Sequence, residues 1–406
     1  MKNRNLQLLW LTVLTLAIIS CKKSDHAPIT ESVKNNSLLK ADAVSGPIIE
    51  TGMTLTQINA IIAGASAGQT VYVQPGTYTI TGKIVMKAGV SIVKQTTTNP
   101  VFDATSLPNE LTIDYTTDVS GVLLSGLTFW NIRMQITGSS KTSVKYCIFD
   151  YGKRTPNTNK TNNLKDDYLE YIDTDSALVS NSVFCHRSTD PGRGVWMKGS
   201  TNTNVLNNTF GNGGTTGYFV CGIDDNSQSN SLLDGNTLNR NTVLNTVDSL
   251  TDHGIYGHSF DGLTISNNNI SGWPANGNGG SVKVRNGQHV SISNNTMNGS
   301  GVLLYEYSNL PAYPYLKYVT VTANTINISA PAGDLYHGIG YYRDNSTDTE
   351  YSINITGNLL PDGSIVMNGS NINVASFNAG GGGVFNNDTA SGYLLLKTGI
   401  NNSGNY

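Results

Sequence analysis

Asn208-Thr209-Phe210, Asn236-Thr237-Leu238, Asn268-Asn269-Ile270, Asn295-Thr296-Met297 and Asn324-Thr325-Ile326 stand about 27 to 32 residues apart along the chain. Self-similarity at such a period marks a solenoid, in which each repeat is one coil that buries its apolar side against its neighbours. The units carry short β-branched runs broken by Gly, Asn and Ser, with no ten-residue stretch at helical spacing. Each coil therefore reads as strands and turns. The predicted fold is all-β, a right-handed parallel β-helix with a short N-terminal capping helix.

The repeat also serves as a ruler. Stepping back 13 to 10 positions from the Asn of four successive coils gives Val195-Trp196-Met197-Lys198, Ile223-Asp224-Asp225-Asn226, Ile255-Tyr256-Gly257-His258 and Val282-Lys283-Val284-Arg285. Side chains alternate faces along a strand, so the first and third members of each quartet point one way and the second and fourth the other. Val195, Ile223, Ile255 and Val282 mark the inside. The outside is then Trp196, Asp224, Tyr256 and Lys283 beside Lys198, Asn226, His258 and Arg285, one polar and aromatic patch. Asp225 interrupts the inward pattern.

The chain has 406 residues, 13% of them charged, with 43 Gly and a formal net charge of −3. Abundant Gly and Asn suit corners that need left-handed backbone, and Asn amides can hydrogen-bond from coil to coil. The net charge argues against general nucleic-acid binding, which needs cationic surface. No composition shift marks a linker in the middle, so residues 47–406 read as a single domain, expected to be a monomer. The cysteines Cys147, Cys185 and Cys221 are far apart in apolar contexts and form no CxxC pair, so they read as buried small hydrophobes rather than a zinc site or disulfide framework.

Between Leu55 and Ala63 the pattern Leu-Thr-Gln-Ile-Asn-Ala-Ile-Ile-Ala is amphipathic at helical spacing. A helix there is expected to cover the open end of the solenoid, ahead of coils running from about Val71 to Leu396. Two long insertions, 152–165 and 308–317, are placed to wall a groove. At the start, Lys2 and Arg4 precede an apolar run from Leu8 to Ile19 and then Ser20-Cys21. This resembles a bacterial lipoprotein signal, which implies a signal peptide over 1–20, lipidation at Cys21, a flexible tether over 21–46 and anchoring to the outer membrane.

An outward sheet face with Trp, Tyr, Lys, Arg and His fits an anionic polysaccharide, because aromatic rings stack on sugars and cations hold carboxylates. Ser281-Val282-Lys283-Val284-Arg285-Asn286-Gly287, followed by Val290-Ser291-Ile292-Ser293-Asn294-Asn295, resembles the Leu-Thr-Leu-Arg-His-Gly coil of polysaccharide lyase family six, the alginate lyase and chondroitinase B group. Gly126-Leu127-Thr128-Phe129, Lys145-Tyr146-Cys147-Ile148-Phe149-Asp150 and Asn181-Ser182-Val183-Phe184 are similar to its earlier coils. The resemblance implies β-elimination on a uronic-acid polymer, alginate favoured, by an Arg and a Lys on adjacent coils. It also implies a calcium held by an Asn and a Glu-x-Glu pair. Arg285 matches the Arg. The coil that matches the Lys and the calcium ligands is Gly254-Ile255-Tyr256-Gly257-His258-Ser259, which lacks both, so no cofactor is expected and the proton transfers fall to other residues.

His258 suits removal of the C5 proton, with Tyr256 as a second acid or base. Arg285, Lys283 and Lys198 suit neutralisation of the carboxylate and of the dianionic intermediate. Trp196, Asp224, Asn226, His253 and Tyr305 complete the expected substrate contacts. Ordinary roles compete: Lys198 and Lys283 as solvated strand residues, Trp196 as a cover for apolar sheet, His253 as a turn residue. Two other functions stay open. Asp224-Asp225, His253-Gly254 and Lys283 also resemble the successive coils of polygalacturonase-type hydrolases, with Asp224, Asp225 and Asp252 as carboxylates for inversion, although the Asn-Thr-Asp coil expected before the pair is replaced by Val195-Trp196-Met197-Lys198. A non-catalytic glycan-binding solenoid is the third.

Overall fold

The computed structural model describes residues 45–107, 111–115, 119–151, 167–186, 192–211, 219–226, 229–240, 252–273, 280–306, 313–328, 338–343, 353–359, 364–369 and 377–380. Its strands stack in parallel, coil upon coil, into one sheet of 21 strands and another of 10. The chain is a parallel β-helix, as its repeat predicts. The larger sheet forms two walls. One holds Leu169–Ile172, Gly192–Lys198, Phe219–Asn226, Val302–Glu306 and Gly338–Arg343. The other holds Leu178–Ser180, Asn204–Leu206, Ser229–Asp234, Leu316–Thr322 and Ile353–Thr356. His253–Ser266 and Gly280–Ser293 run through both walls, turning the corner at Ser259 and Asn286, both at positive φ.

The Asn doublets of the repeat divide two jobs. Asn207, Asn267 and Asn294 are exposed at positive φ, where the chain turns and where Asn and Gly are tolerated best. Gly235 fills the same corner in its coil at φ 67°. The following residues, Asn208, Asn236, Asn268, Asn295, Asn324 and Asn358, are buried and form a continuous amide ladder. Each Nδ2 donates to the Oδ1 of the next Asn, at 3.1, 3.0, 2.9, 2.9 and 2.9 Å in order. Each Oδ1 also accepts a backbone N–H from the coil before, as Asn268 Oδ1 does from Asn236 N at 2.9 Å. The polar groups at this corner are satisfied inside the core without water.

The rest of the interior is apolar. Val195, Ile223, Ile255, Val282, Val302 and Ile339 are wholly buried in one column. Opposite them, Tyr78, Phe102, Phe129, Phe149, Phe184 and Phe210 stack along the ten-stranded sheet with centroids 4.7 to 6.0 Å apart. Leu238, Ile270, Met297 and Ile326 continue that column. Each such side chain contributes roughly 1.5 to 3 kcal/mol, so stability accumulates coil by coil.

The helix runs Leu55–Gly64, closed at its start by a capping box between Thr54 and Gln57. Ile58 and Ile62 join the same buried cluster as Ile84, Ile92 and Phe102 of the first coils. Three expectations need correction. The first rung is earlier than Val71, because Ile48–Ile49 already pairs with Tyr72 and Val73. The second insertion ends sooner, since Leu316 and Lys317 open a strand; 152–165 lies outside the described residues. Cys147 and Cys221 are buried free thiols, but Cys185 is disulfide-bonded. Among the described residues no helix is long and apolar enough to cross a membrane.

Candidate functional site

The wall that carries the four quartets pairs them in the register the ruler predicts. Trp196 lies beside Asp224, Asp224 beside Tyr256, and Tyr256 beside Lys283. In the neighbouring column Lys198, Asn226, His258, Arg285 and Tyr305 follow one another. Every residue expected on the outer face is in one of these columns except His253. That residue opens the strand His253–Ser266 rather than a turn, and it is buried.

A cationic centre forms where the coils of Tyr256 and Lys283 meet. The Arg285 guanidinium donates from Nη1 to the Tyr256 hydroxyl at 3.4 Å. The Lys283 ammonium lies 5.5 Å from the Tyr256 ring centroid and 4.5 Å from that of Tyr305, and the Arg285 guanidinium 5.7 Å from the latter. Tyr256 also leans on His253 and His258, with ring centroids 5.1 and 5.2 Å apart. Two cations thus sit half-buried beside tyrosine rings on the sheet face, where desolvation strengthens their pull on an anion.

Burial sets the protonation states. It lowers His258 to about 4, helped by Arg285, so the imidazole is neutral at ordinary pH. It lowers Lys283 to about 8, with Asp252 opposing and Arg285 assisting. Tyr256 is pushed up by burial, against the pull of Arg285, and keeps its proton. His253 is lowered by burial while its Nδ1 meets the Asp252 carboxylate. Asp252 itself is held low by His253 and Lys283, which outweigh its own burial.

The repeat gives a face, and coil counting then gives distance. Lys198 stands three rungs from Arg285, about 14 Å at the usual strand spacing, and its ammonium lies 6.0 Å from the Trp196 ring. Of the three expected cations, Lys283 and Arg285 are the two that meet at one ring, that of Tyr305. Asp225 belongs to the inward column, wholly buried and raised to about 8 by burial, which outweighs the lowering effect of Ser231. It cannot join Asp224 as a second carboxylate on the groove.

Around Trp196 the structure adds residues that the sequence reading missed. Arg193 binds Asp167 through Nε and Nη2 at 2.8 and 2.7 Å and Asp224 through Nη1 at 2.6 Å, while its guanidinium covers the Trp196 ring at 4.0 Å. Asp224 is raised to about 7, burial outweighing Arg193. One rung earlier Glu170 pairs with Arg133 and is likewise raised to about 7 by burial. Glu170 was within reach of the ruler: thirteen positions before Ser182, which fills the ladder position of its coil, stands Leu169, and Glu170 follows it. Arg193 was not, because Gly194 and Val195 both face the interior, a Cβ on Gly194 falling 2.5 Å from the Phe210 ring, so face alternation fails just after Arg193.

The coil that the sequence resemblance matches to calcium ligands presents Tyr256 and His258 outward, next to Lys283 and Arg285. A neutral imidazole and a phenol facing two cations offer no carboxylate cage, so these residues do not fit a calcium ion.

No protein-family model matches this chain. No curated protein matches it either. Among solved structures, the alginate lyase AlyF-OU02 in complex with G6 superposes with a TM-score of 0.51 at 13% identity, over 81% of this chain and 74% of that one. PfbA, a surface adhesin of Streptococcus pneumoniae, superposes with a TM-score of 0.50 at 12% identity, over 78% and 85%. A family 28 exopolygalacturonase of Yersinia enterocolitica gives 0.47 at 10% identity, over 81% and 76%. Likeness at this identity concerns the fold alone.

Proposed function

We propose that this protein is a polysaccharide lyase that cleaves a uronic-acid polymer by β-elimination at the centre formed by Tyr256, His258, Lys283 and Arg285. The observation that carries the reading is the pairing of His258 with Arg285 and of Tyr256 with Lys283 on adjacent rungs. Arg285 and Lys283 neutralise the uronate carboxylate, which acidifies the C5 proton and stabilises the dianion. His258, neutral and facing the same column, takes that proton. Tyr256, held protonated by burial, donates to the departing O4. Tyr305 supplies a ring for stacking beside both cations. Atoms balance: the C5–H and C4–O4 bonds break, a C4–C5 double bond forms, and no water or oxidant is consumed.

Incubation with alginate, chondroitin, pectate and neutral glucans, followed by ultraviolet absorbance of the unsaturated uronate, tests the reading. Reducing ends without absorbance sink it. They favour the second reading, hydrolysis, which one observation supports: Asp224 is raised to about 7 while Asp252 is depressed, two carboxylates pushed apart as an acid and a base require. Binding without products would leave a glycan-binding solenoid.

The pH profile follows from the signs of the shifts. His258 must be unprotonated, so activity falls only below about pH 4. Lys283 must be charged; its depressed value means the charge is lost as pH rises through about 8 rather than near that of a free lysine. A bound carboxylate favours the charged amine, so the basic limb lies higher in kcat than in kcat/KM. Lys283→Arg is expected to move the limb of kcat/KM up by at least one pH unit; an unmoved limb removes Lys283 from the carboxylate site.

We also propose that the protein works from the outer membrane, lipidated at Cys21. The chain has four cysteines, of which Cys147 and Cys221 are free thiols, so within one chain a thioether at Cys21 and the disulfide at Cys185 are alternatives. Intact mass of the mature chain from membranes is expected to show removal of residues 1–20 and added acyl mass, and Cys21→Ser is expected to release the protein from the membrane fraction. An unmodified Cys21 in a membrane-free chain ends this proposal.

A further inference from the structure

One and two rungs before Tyr256 of the cationic centre, the outward column contains an unpaired acceptor next to an unpaired donor. Trp196 Nε1 and Asp224 Oδ1 are both buried without a hydrogen-bond partner, on side chains of residues only 7% and 5% exposed. Their residues are register partners, so one rung, about 4.8 Å, separates their backbones. Leaving such groups unmet destabilises the folded chain, and a ligand that meets them offsets that cost. Arg193 fixes both: it covers the indole face and holds the other carboxylate oxygen, Asp224 Oδ2.

The charge around this pair is already spent. Arg193 is matched by Asp167 and Asp224, and Arg133 one rung further by Glu170. A uronate carboxylate set against this pair would satisfy the indole N–H but, having no proton to give, would leave Asp224 Oδ1 unmet and oppose the ionised form of that carboxyl. A hydroxyl both donates and accepts, so the hydroxyls of one sugar ring satisfy both atoms, and an uncharged sugar does so with no carboxylate to set against Asp224. Lys198 stands at the rim, its ammonium 6.0 Å from the Trp196 ring, clear of the buried pair.

We propose that Trp196 and Asp224 form a subsite for the hydroxyls of an uncharged sugar, so that the substrate is a heteropolysaccharide in which a uronate neighbours a neutral residue rather than a uniform polyuronate. The proposal rests on the reading of Lys283 and Arg285 as the uronate clamp. From Asp224 to Lys283 is two rungs, about 10 Å, a separation suited to neighbouring parts of one polymer laid along the groove.

The test is equilibrium binding in a His258→Ala background, which stops turnover and leaves the clamp intact. Hexasaccharides of uniform polyuronate are compared with hexasaccharides that alternate uronate and neutral sugar. The expected result is at least tenfold tighter binding of the alternating chain. Trp196→Phe, which keeps the ring and removes the N–H, and Asp224→Asn, which keeps the shape and removes the charge, are each expected to cut that preference to under threefold, and Asp224→Asn to tighten binding of the uniform chain. Equal or tighter binding of the uniform polyuronate overturns the proposal. So does a preference that survives both substitutions, which would mean that the two atoms serve a buried water, and so does failure to bind either chain. Absorbance of unsaturated product in the unsubstituted protein is read separately, so loss of the lyase reading and loss of the subsite are distinct results.

Discussion

Arg285→Ala is expected to lower kcat/KM on a cleavable uronate polymer by about 10³-fold or more, with the fold intact. Removing one preorganised donor to a developing oxyanion typically costs 10² to 10³ in kcat, and here the lost group also carries the charge that acidifies C5. Arg285 projects outward from its strand, between His258 and Tyr305 in the ladder, so its removal leaves the buried columns untouched. His258→Ala, which deletes the base, is expected to cost about 10² to 10⁴-fold. The two losses need not add, because the residues act on one proton transfer. Progress curves of unsaturated uronate, with circular dichroism as the control for folding, measure the effect. A double variant that retains more than about a tenth of the activity refutes the assignment.

The second large effect is on stability. Asn268 accepts at Oδ1 from Asn236 N and Asn236 Nδ2, and donates from Nδ2 to Leu233 O and Asn295 Oδ1. Asn268→Ala strips partners from several buried groups at once in a corner with no access to water. At about 1 to 3 kcal/mol for each orphan, a loss of about 4 kcal/mol or more is expected after partial relaxation. Asn327→Ala is the control, since it breaks one exposed amide contact to Asn298 and is expected to cost under about 1 kcal/mol. Denaturant midpoints of both variants, with the slope monitored for loss of cooperativity along the solenoid, decide the matter. A difference of less than about 1 kcal/mol between them would show the ladder to be dispensable.

The sequence carried the face of each residue further than it carried the chemistry. A period of about 30 residues and a strand alternation of two suffice to put Tyr256, His258, Lys283 and Arg285 on one wall, because both are properties of backbone geometry. The same alternation already implied that Asp224 and Asp225 face opposite ways, which weakens the hydrolase reading built on that pair. Arg193 escaped because Gly194 and Val195 both face inward, which reverses the parity that the rule assumes. Protonation was beyond reach for another reason. Whether His258 titrates near neutrality or at about 4 depends on how much water the stacked coils exclude, which is a property of the assembled wall and not of any local run of residues.

The amide ladder has one more property. Backbone hydrogen bonds between successive coils point both ways along the solenoid axis: Asn207 N donates forward to Asp234 O, whereas Thr209 N donates back to Ser182 O. Their dipoles largely cancel, as in any sheet. From Asn208 to Asn324 each side-chain amide donates one N–H forward to the next Asn and another back to a backbone carbonyl, while each ladder Oδ1 accepts from the coil before, so the amide C=O dipoles share one direction and each bond polarises the next. The solenoid therefore has an electrical sense along its axis, with the N–H end of the column toward the later coils. A polymer with two unlike ends, lying along this axis, would meet an environment that distinguishes the two ways round.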